Sequence, residues 1–479
     1  MTPQAAFEYL NRSAGIAPLG VPAFEGAEAV VPTPLRAASA AAASLGLGAA
    51  VAGEIWRFRG GEKQSVAVDL KAAAASLVSY SLLRRSGATL ARPDEANPTT
   101  GFYQCADGRW IHLHGGFAHQ AMRTLDLLNA ANDPKAIVES VSKWSGLALE
   151  DALAYMQLCG AVVRSEEEWR AGVQGRLVGP PIMLKKIGEA PPLRLADSDT
   201  PLGGIRVLDL TRVLAGPACS RLLASHGADV LAIRAERLPS VEQFDLDLSA
   251  GKRLALLDLA KPADSEALRR LVRGADVFVE SYRPGALSKL GFSPAALAHI
   301  APGMTYVSVS AYGSEGPWAG RRGWEQLVQA ASGIAVEQGA FMAARRKRRR
   351  GTQPELIPAA VLDYTTGYLA AAGAMAALLR RIREGGSWLV QVSLAGTAMW
   401  LQSLGKIDAA SVPAGWEPRD GLDPYLVSCD TKAGRLELLG PVVRMSKTPP
   451  LMGGPPDNAD APRWVSAHEG ANAAEVQPA

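Results

Sequence analysis

Between residues 204 and 312, short apolar runs alternate with amphipathic stretches in a regular order. IRVLDLT (205–211) has strand length and no polar face, and ACSRLLASHG (218–227) then shows helical spacing closed by a glycine. ADVLAIR (228–234) and RLALLDL (253–259) predict the second and third strands. ADSEALRRLVRGA (263–275) predicts an amphipathic helix with Asp264 and Glu266 in its first turn, followed by the strand DVFVESY (276–282). The helical SPAALAHIA (293–301) and the strand MTYVSVSAY (304–312) complete the series. Near-continuous apolar strands alternating with helices imply a parallel sheet covered on both faces, a doubly wound α/β domain. Ligands of such sheets bind beyond the strand C-termini. The first strand-to-helix turn, 211–217, lacks G-x-G-x-x-G, which argues against a dinucleotide site.

A second pattern is a repeat. Sliding the chain by 324 positions places RFRGGEKQSVAVDL (57–70) on RIREGGSWLVQVSL (381–394) without a gap. Each copy reads as an Ala-rich helix, a basic and Gly-rich turn, a short strand and another helix. In this register Asp363 falls on Ser39, an acid against a hydroxyl. Between the copies, TGFYQCADGRWIHLHGG (100–116) predicts a hairpin about Asp107-Gly108. Residues 117–175 read as mostly helical, and 175–195 as a Pro-rich crossover. Strand-like pieces (YLVSCDT, LELLGPVV) follow residue 405, and the tail after Met452 reads as mobile. Four segments result: 1–90, a partial repeat; 91–200, a small domain and crossover; 201–405, the large domain; and 406–479, C-terminal strands and tail.

Composition narrows the classes. Apolar residues make up 48% and charged residues 20%, so the chain is globular, not disordered. Fifty Lys+Arg against 47 Asp+Glu leave +3, too little for a global field drawing in nucleic acid or anionic membrane. Cysteines 105, 159, 219 and 429 form no C-x-x-C pair, which fits free thiols in a reducing cytosol. The N-terminus shows no secretory pattern, and the expected location is cytoplasmic. Two runs, 37–53 and (apart from Asp363) 356–379, carry no charge. Both are read as buried helices, because the second holds an interior acid, Pro358 and two threonines.

Asp363 is the foremost candidate for chemistry, the only charge in its run. Locally it reads as a helix N-cap, and a carboxylate at a helix N-terminus is also kept ionised and aimed. His112, His114 and His119 form H-x-H-x4-H, readable as metal ligands or as two half-buried imidazoles on a strand; the second reading is favoured. RRKRRR (345–350) reads as a solvated basic loop, with a phosphate role as the alternative. No G-x-S-x-G, H-E-x-x-H or Walker-type motif occurs.

With these residues in view, the sequence resembles the family III CoA-transferases, which include formyl-CoA transferase, carnitine CoA-transferase and α-methylacyl-CoA racemase. The matching runs are 203–233, GKRLALLDLAKP (251–262), ADVFVESYRPGALSKLGF (275–292), YVSVSAYGSEGPW (306–318), QAASG (329–333) and LDYTTGYLAAAGAMAAL (362–378). They cover most of 203–405 in family order. The resemblance implies an α/β fold: a doubly wound Rossmann-like large domain plus a smaller α+β domain. It assigns the nucleophile of the D-[YF]-x-x-G element to Asp363, acting through an aspartyl anhydride and an aspartyl-CoA thioester. Its CoA contacts map to Val213, Tyr282 and Lys289, with Arg234 or Arg237 as the basic residue after the second strand. It implies acyl-CoA and a carboxylic acid as substrates, no metal, no cofactor beyond CoA itself, and an interlocked homodimer. Where the racemases carry G-H-D this chain has Gly323-Trp324-Glu325, which favours transfer over epimerisation. The 234–252 stretch is shorter than the family's, and the N-terminal part resembles the family's second half, as in a rearranged fusion. An acyl-CoA epimerase or isomerase and a non-catalytic CoA-binding subunit remain the alternatives.

Overall fold

The computed structural model describes residues 1–17, 19–90, 97–346, 353–465 and 476–478. Along the chain, the elements that position the site begin with α1 (Ala37–Phe58), β1 (Val66–Asp69) and α2 (Leu70–Ser76). The small domain contributes β2 (Trp110–Leu113), and the crossover contributes β3 (Met183–Gly188). The large domain follows with β4 (Arg206–Leu210), α3 (Ala215–Ser225), β5 (Asp229–Arg234), β6 (Arg253–Leu256), β7 (Val277–Glu280) and β8 (Thr305–Ser310). It continues through α4 (Glu325–Ala331), α5 (Val361–Glu384), β9 (Ser387–Ser393) and α6 (Leu394–Ser403). The last strands used below are β10 (Leu426–Thr431) and β11 (Gly434–Leu439).

Seven strands form the central sheet in the order β6-β5-β4-β7-β8-β9-β3. All neighbours are parallel except the β9–β3 pair at the edge. This is the doubly wound order, with the direction of winding reversing between β4 and β7. Strand alternation divides the interior into two cores. Leu208, Leu231, Phe278 and Tyr306 face one side, under the helices Pro262–Val272 and Pro294–Ile300. Val207, Val230, Val277, Val279 and Val307 face the other, under α3 and α5. Both sets are buried, so the strands read as continuously apolar and the α/β assignment follows.

The Pro-rich crossover contains a strand that the sequence reading does not assign. Its residues 183–188 pair antiparallel with β9 and close the sheet edge. MLKKIG carries two lysines and is largely exposed, which is how an edge strand is protected and why it does not look like a core strand.

The repeat is also a repeat of elements. α1 begins at 37 and α5 at 361, each followed by a strand and a helix starting at 70 and 394. The two long helices lie against each other, with Met375 facing Gly48 at a spot where a Cβ would come within 3.3 Å of its methyl. α1 is long and apolar enough to cross a bilayer, but most of it is covered by the rest of the chain.

Residues 97–175 form a separate unit, a three-stranded antiparallel sheet of Gly101–Gln104, β2 and Gly160–Val162 flanked by helices around its own core. β10 and β11 join Arg84–Arg85, Ala88–Thr89 and Val476–Pro478 in a five-stranded sheet. The tail after Met452, expected to be mobile, is held along the large domain as far as residue 465. Gly454 O accepts from Gly251 N at 3.0 Å, and Trp464 Nε1 donates to Leu271 O at 2.9 Å. Residues 466–475 and 479 lie outside the described residues.

Candidate active site

The N-terminus of α5 is built around one glutamate. Glu325, buried at the start of α4, accepts from Leu362 N on Oε1 at 3.0 Å and from Asp363 N on Oε2 at 2.9 Å. Gln329, one helical turn on, donates to Glu325 Oε1 at 2.9 Å and accepts from Ile357 N at 3.0 Å. These bonds satisfy amides that a helix start otherwise leaves open. They also correct the local reading of Asp363 as an N-cap. Ala360 is the N-cap residue, Asp363 is the third residue of the helix, and the capping carboxylate comes from α4.

The Asp363 carboxylate carries no hydrogen bond among the described residues, although the residue is only 9% exposed. Burial pushes its pKa well above the ordinary carboxylate value. Glu325 is raised too, by burial first and then by the charge of Asp363. The helix dipole favours the anion, but desolvation outweighs it at this depth.

Gly367 sets where the carboxylate lies. A Cβ there would sit 2.5 Å from Ala215 O and 2.7 Å from Ala218 Cβ, so only glycine lets α5 cross the first turn of α3 this closely. Asp363 is one helical turn earlier on the same face. That face of α5 is the one that meets the first turn of α3, near the strand C-termini where doubly wound sheets bind ligands, although Asp363 itself is not among the residues lining the cavity at that turn.

That turn holds Val213 at φ +71, a left-handed conformation that a β-branched residue seldom adopts. Val213 and Arg234 line one cavity of about 210 Å³, together with Arg212 and Phe117. Arg234, at the end of β5, is paired with Asp245. Tyr282 follows β7, its backbone N donating to Glu280 Oε2 at 2.9 Å. Its phenol is raised by burial and partly restored by the Arg212 guanidinium. Arg237 lies outside the cavity wall, with Nε on the Asp258 carboxylate at 2.9 Å. Lys289 stands exposed on the short turn Ser288–Leu290, also outside the wall. Two of the five expected CoA contacts thus share a cavity, one lies near Arg212, and two stand apart.

The sequence pattern does not flag Phe117 or Arg212, and it marks Glu325 only as the last residue of the Gly323-Trp324-Glu325 element. Phe117 comes from the small domain, just after β2. Its ring lies 5.6 Å from the Arg212 guanidinium and 5.5 Å from the Trp324 ring. Trp324 in turn rests on His114 at 4.4 Å. The small domain of this chain therefore forms part of the wall of its own site. His112 and His114 share β2 as expected but are fully buried, not half-buried. Burial holds their pKa values down at about 3 and about 4, so both rings are neutral. Among the described residues, no group of three or more His, Cys, Asp or Glu is placed to hold a metal. Arg345 donates to Val412 O at 2.9 Å and Arg346 pairs with Glu355, while 347–350 of the basic run lie outside the described residues.

α1 repeats the helix start with one change. Glu28 accepts from the backbone N of Ala38 and of Ser39, the positions matching Leu362 and Asp363. The Ser39 hydroxyl closes on the same carboxylate, and Ser39 is fully buried.

The family model for CoA-transferase family III matches residues 202–456. The acetyl-coenzyme A transferase nodX of Hypoxylon pulicicidum is 31% identical over 337 residues, covering 64% of this chain and 55% of that protein. The succinate–glutarate CoA-transferase of Agrobacterium fabrum is 34% identical over 212 residues, covering 40% and 51%. The crystal structure of Rv3272 from Mycobacterium tuberculosis aligns at a TM-score of 0.38 with 30% identity, covering 43% of this chain and 57% of that one. The chain thus spans about half the length of the curated relatives it matches.

Proposed function

The chain belongs to CoA-transferase family III, and on that premise we propose that it passes coenzyme A from an acyl-CoA thioester to a carboxylic acid, with Asp363 as nucleophile. The observation that carries this reading is a buried carboxylate with no hydrogen-bond partner among the described residues, on the helix that crosses the first turn of α3. Removed from water and from competing donors, its lone pairs are free to attack.

The steps balance without an added oxidant, reductant or net proton. The Asp363 carboxylate attacks the thioester carbonyl, giving a mixed anhydride and the CoA thiolate. The thiolate attacks the aspartyl carbonyl, releasing the donor acid and leaving an aspartyl-CoA thioester. The acceptor carboxylate then attacks that thioester to form a second anhydride and free the thiolate again. Attack of the thiolate on the acceptor's acyl carbonyl releases the new acyl-CoA and restores Asp363. Glu325 holds the two amides at the helix start and so fixes the carboxylate's position. Val213, Arg234, Arg212 and Phe117 supply the wall against which CoA lies, Tyr282 stands beside Arg212, and Arg237 and Lys289 serve the phosphates from the rim.

Transfer is favoured over proton exchange at the α-carbon by the use made of Gly323-Trp324-Glu325. Trp324 offers no base, and both Glu325 oxygens are engaged by the α5 amides. CoA is a substrate in this reading, no metal is needed, the protein works in the cytoplasm, and two chains pair. The test is exchange of CoA into an isotope-labelled acid, followed by mass spectrometry across short, branched and medium-chain donors. Labelled acyl-CoA is expected. CoA binding without exchange across the panel would overturn the reading, as would deuterium uptake at the α-carbon without transfer.

A further inference from the structure

The short helix Glu242–Leu248 runs between the cavity at Val213 and the start of α5. Val241, Phe244 and Asp245 line that cavity beside Val213 and Arg234, and Asp245 carries the ion pair to Arg234. Seven residues are too few to hold a helix by themselves, and the N-cap Val241 gives its first turn no side-chain hydrogen bond. The place of this wall is therefore set by what the helix is fastened to.

Asp247, three residues after Phe244, is fully buried. Its Oδ1 accepts from Arg221 Nη1 of α3 at 2.9 Å. Its Oδ2 accepts from Tyr364 Oη at 3.1 Å, and the Ser79 hydroxyl closes on the same oxygen. Tyr364 directly follows Asp363 on α5, and its Oη also accepts from Tyr80 N at 3.3 Å. A buried carboxylate is costly unless it is paired and hydrogen-bonded. One side chain thus ties the wall helix to α3, to α5 and to the segment after α2. The first repeat adds two further contacts. The Tyr80 ring meets the Phe244 ring edge-on at 4.9 Å, and Arg85 pairs with Glu242 at 2.5 Å.

We propose that Asp247 is a positioning residue for CoA, holding the Phe244 and Asp245 wall of the cavity against the turn of α5 that carries Asp363. The first repeat, which has Ser39 where the second has an acid, serves the site through Ser79, Tyr80 and Arg85 as the support of that wall. The inference rests on CoA lying in the cavity at Val213, as the transfer reading has it.

The test is calorimetric titration of the full chain with CoA, together with kcat and KM for an acyl-CoA donor at saturating acid. Asp247→Asn removes the charge that Arg221 and the two hydroxyls share. Tyr364→Phe removes one hydroxyl and leaves Asp247 its other two partners, so it tests the same contact should Asp247→Asn fail to fold. Each should weaken CoA roughly tenfold, the scale of one hydrogen bond to a charged group. KM for the donor should rise in parallel while kcat stays within about threefold, the signature of lost binding and not of lost chemistry. Tyr368→Phe is the control. It also removes a buried phenol hydroxyl from α5, one bonded to Ser76 Oγ at 2.9 Å and not to Asp247, and it should bind CoA as the parent does. Unchanged CoA affinity in either test variant, an equal loss in Tyr368→Phe, or a fall in kcat with KM unchanged would overturn the proposal. Affinity is read without turnover, so a parent that binds CoA and transfers none would contradict the transfer reading alone.

Discussion

α1 and α5 begin alike and end up chemically opposite. Each is a long Ala-rich helix whose second and third amides are held by a glutamate from another segment, Glu28 in one and Glu325 in the other. At Ser39 the third side chain turns back onto the capping carboxylate and closes the circuit. At Asp363 the third side chain is itself a carboxylate, whose charge opposes that of Glu325, and it is buried with no hydrogen-bond partner among the described residues. The same backbone device therefore makes a sealed joint in one copy and, in the other, presents the buried carboxylate that the proposed reaction uses. The two helix starts share one arrangement, and they differ by one side chain.

The comparison breaks most sharply at Asp363. Asp363→Asn keeps the shape and removes the attacking anion, so transfer should fall by roughly 10³-fold or more while CoA binding persists. Stopped-flow rates with a fixed donor measure it. Equal activity would place the nucleophile elsewhere.

Glu325→Gln comes next. Losing one acceptor at the helix start should lower kcat about tenfold, the scale of one hydrogen bond. The raised pKa of Asp363 means that transfer should rise with pH above the ordinary carboxylate range, as the nucleophile ionises. Removing the neighbouring charge favours ionisation, so the acid limb of the Glu325→Gln profile should move to lower pH. A limb that stays in place would separate Glu325 from the nucleophile. Gly367→Ala places a methyl against the Ala215 carbonyl and should destabilise by about 1–3 kcal/mol in urea unfolding. Ser39→Ala is the smallest expected change, about 1 kcal/mol of stability from a lost hydrogen bond, with transfer rates unchanged. A loss of activity there would mean that the first copy still takes part.

What was legible in the sequence follows from the range of each signal. Of the strands from 205 to 310, all but the edge strand β6 are largely buried on both faces, so their apolar runs could be read directly. The repeat was legible because its turn and strand match at a fixed offset. β3 was not, since an exposed edge strand with two lysines resembles a linker. Asp363 stands out by its isolation in an apolar run, but that run does not give its place in the helix. The cap comes from Glu325, far away in sequence, and lets the helix start at Val361 instead of after the aspartate. Phe117 was illegible for the same reason, because its place depends on a wall assembled from distant segments.

The most direct test of the account is intact-mass spectrometry of the protein mixed with acyl-CoA donors, followed by peptide mapping, with Asp363→Ala and Ser39→Ala alongside. A CoA-sized adduct on the parent and on Ser39→Ala, mapped to Asp363 and absent from Asp363→Ala, is expected. An adduct that survives Asp363→Ala, or that maps to another residue, would contradict it.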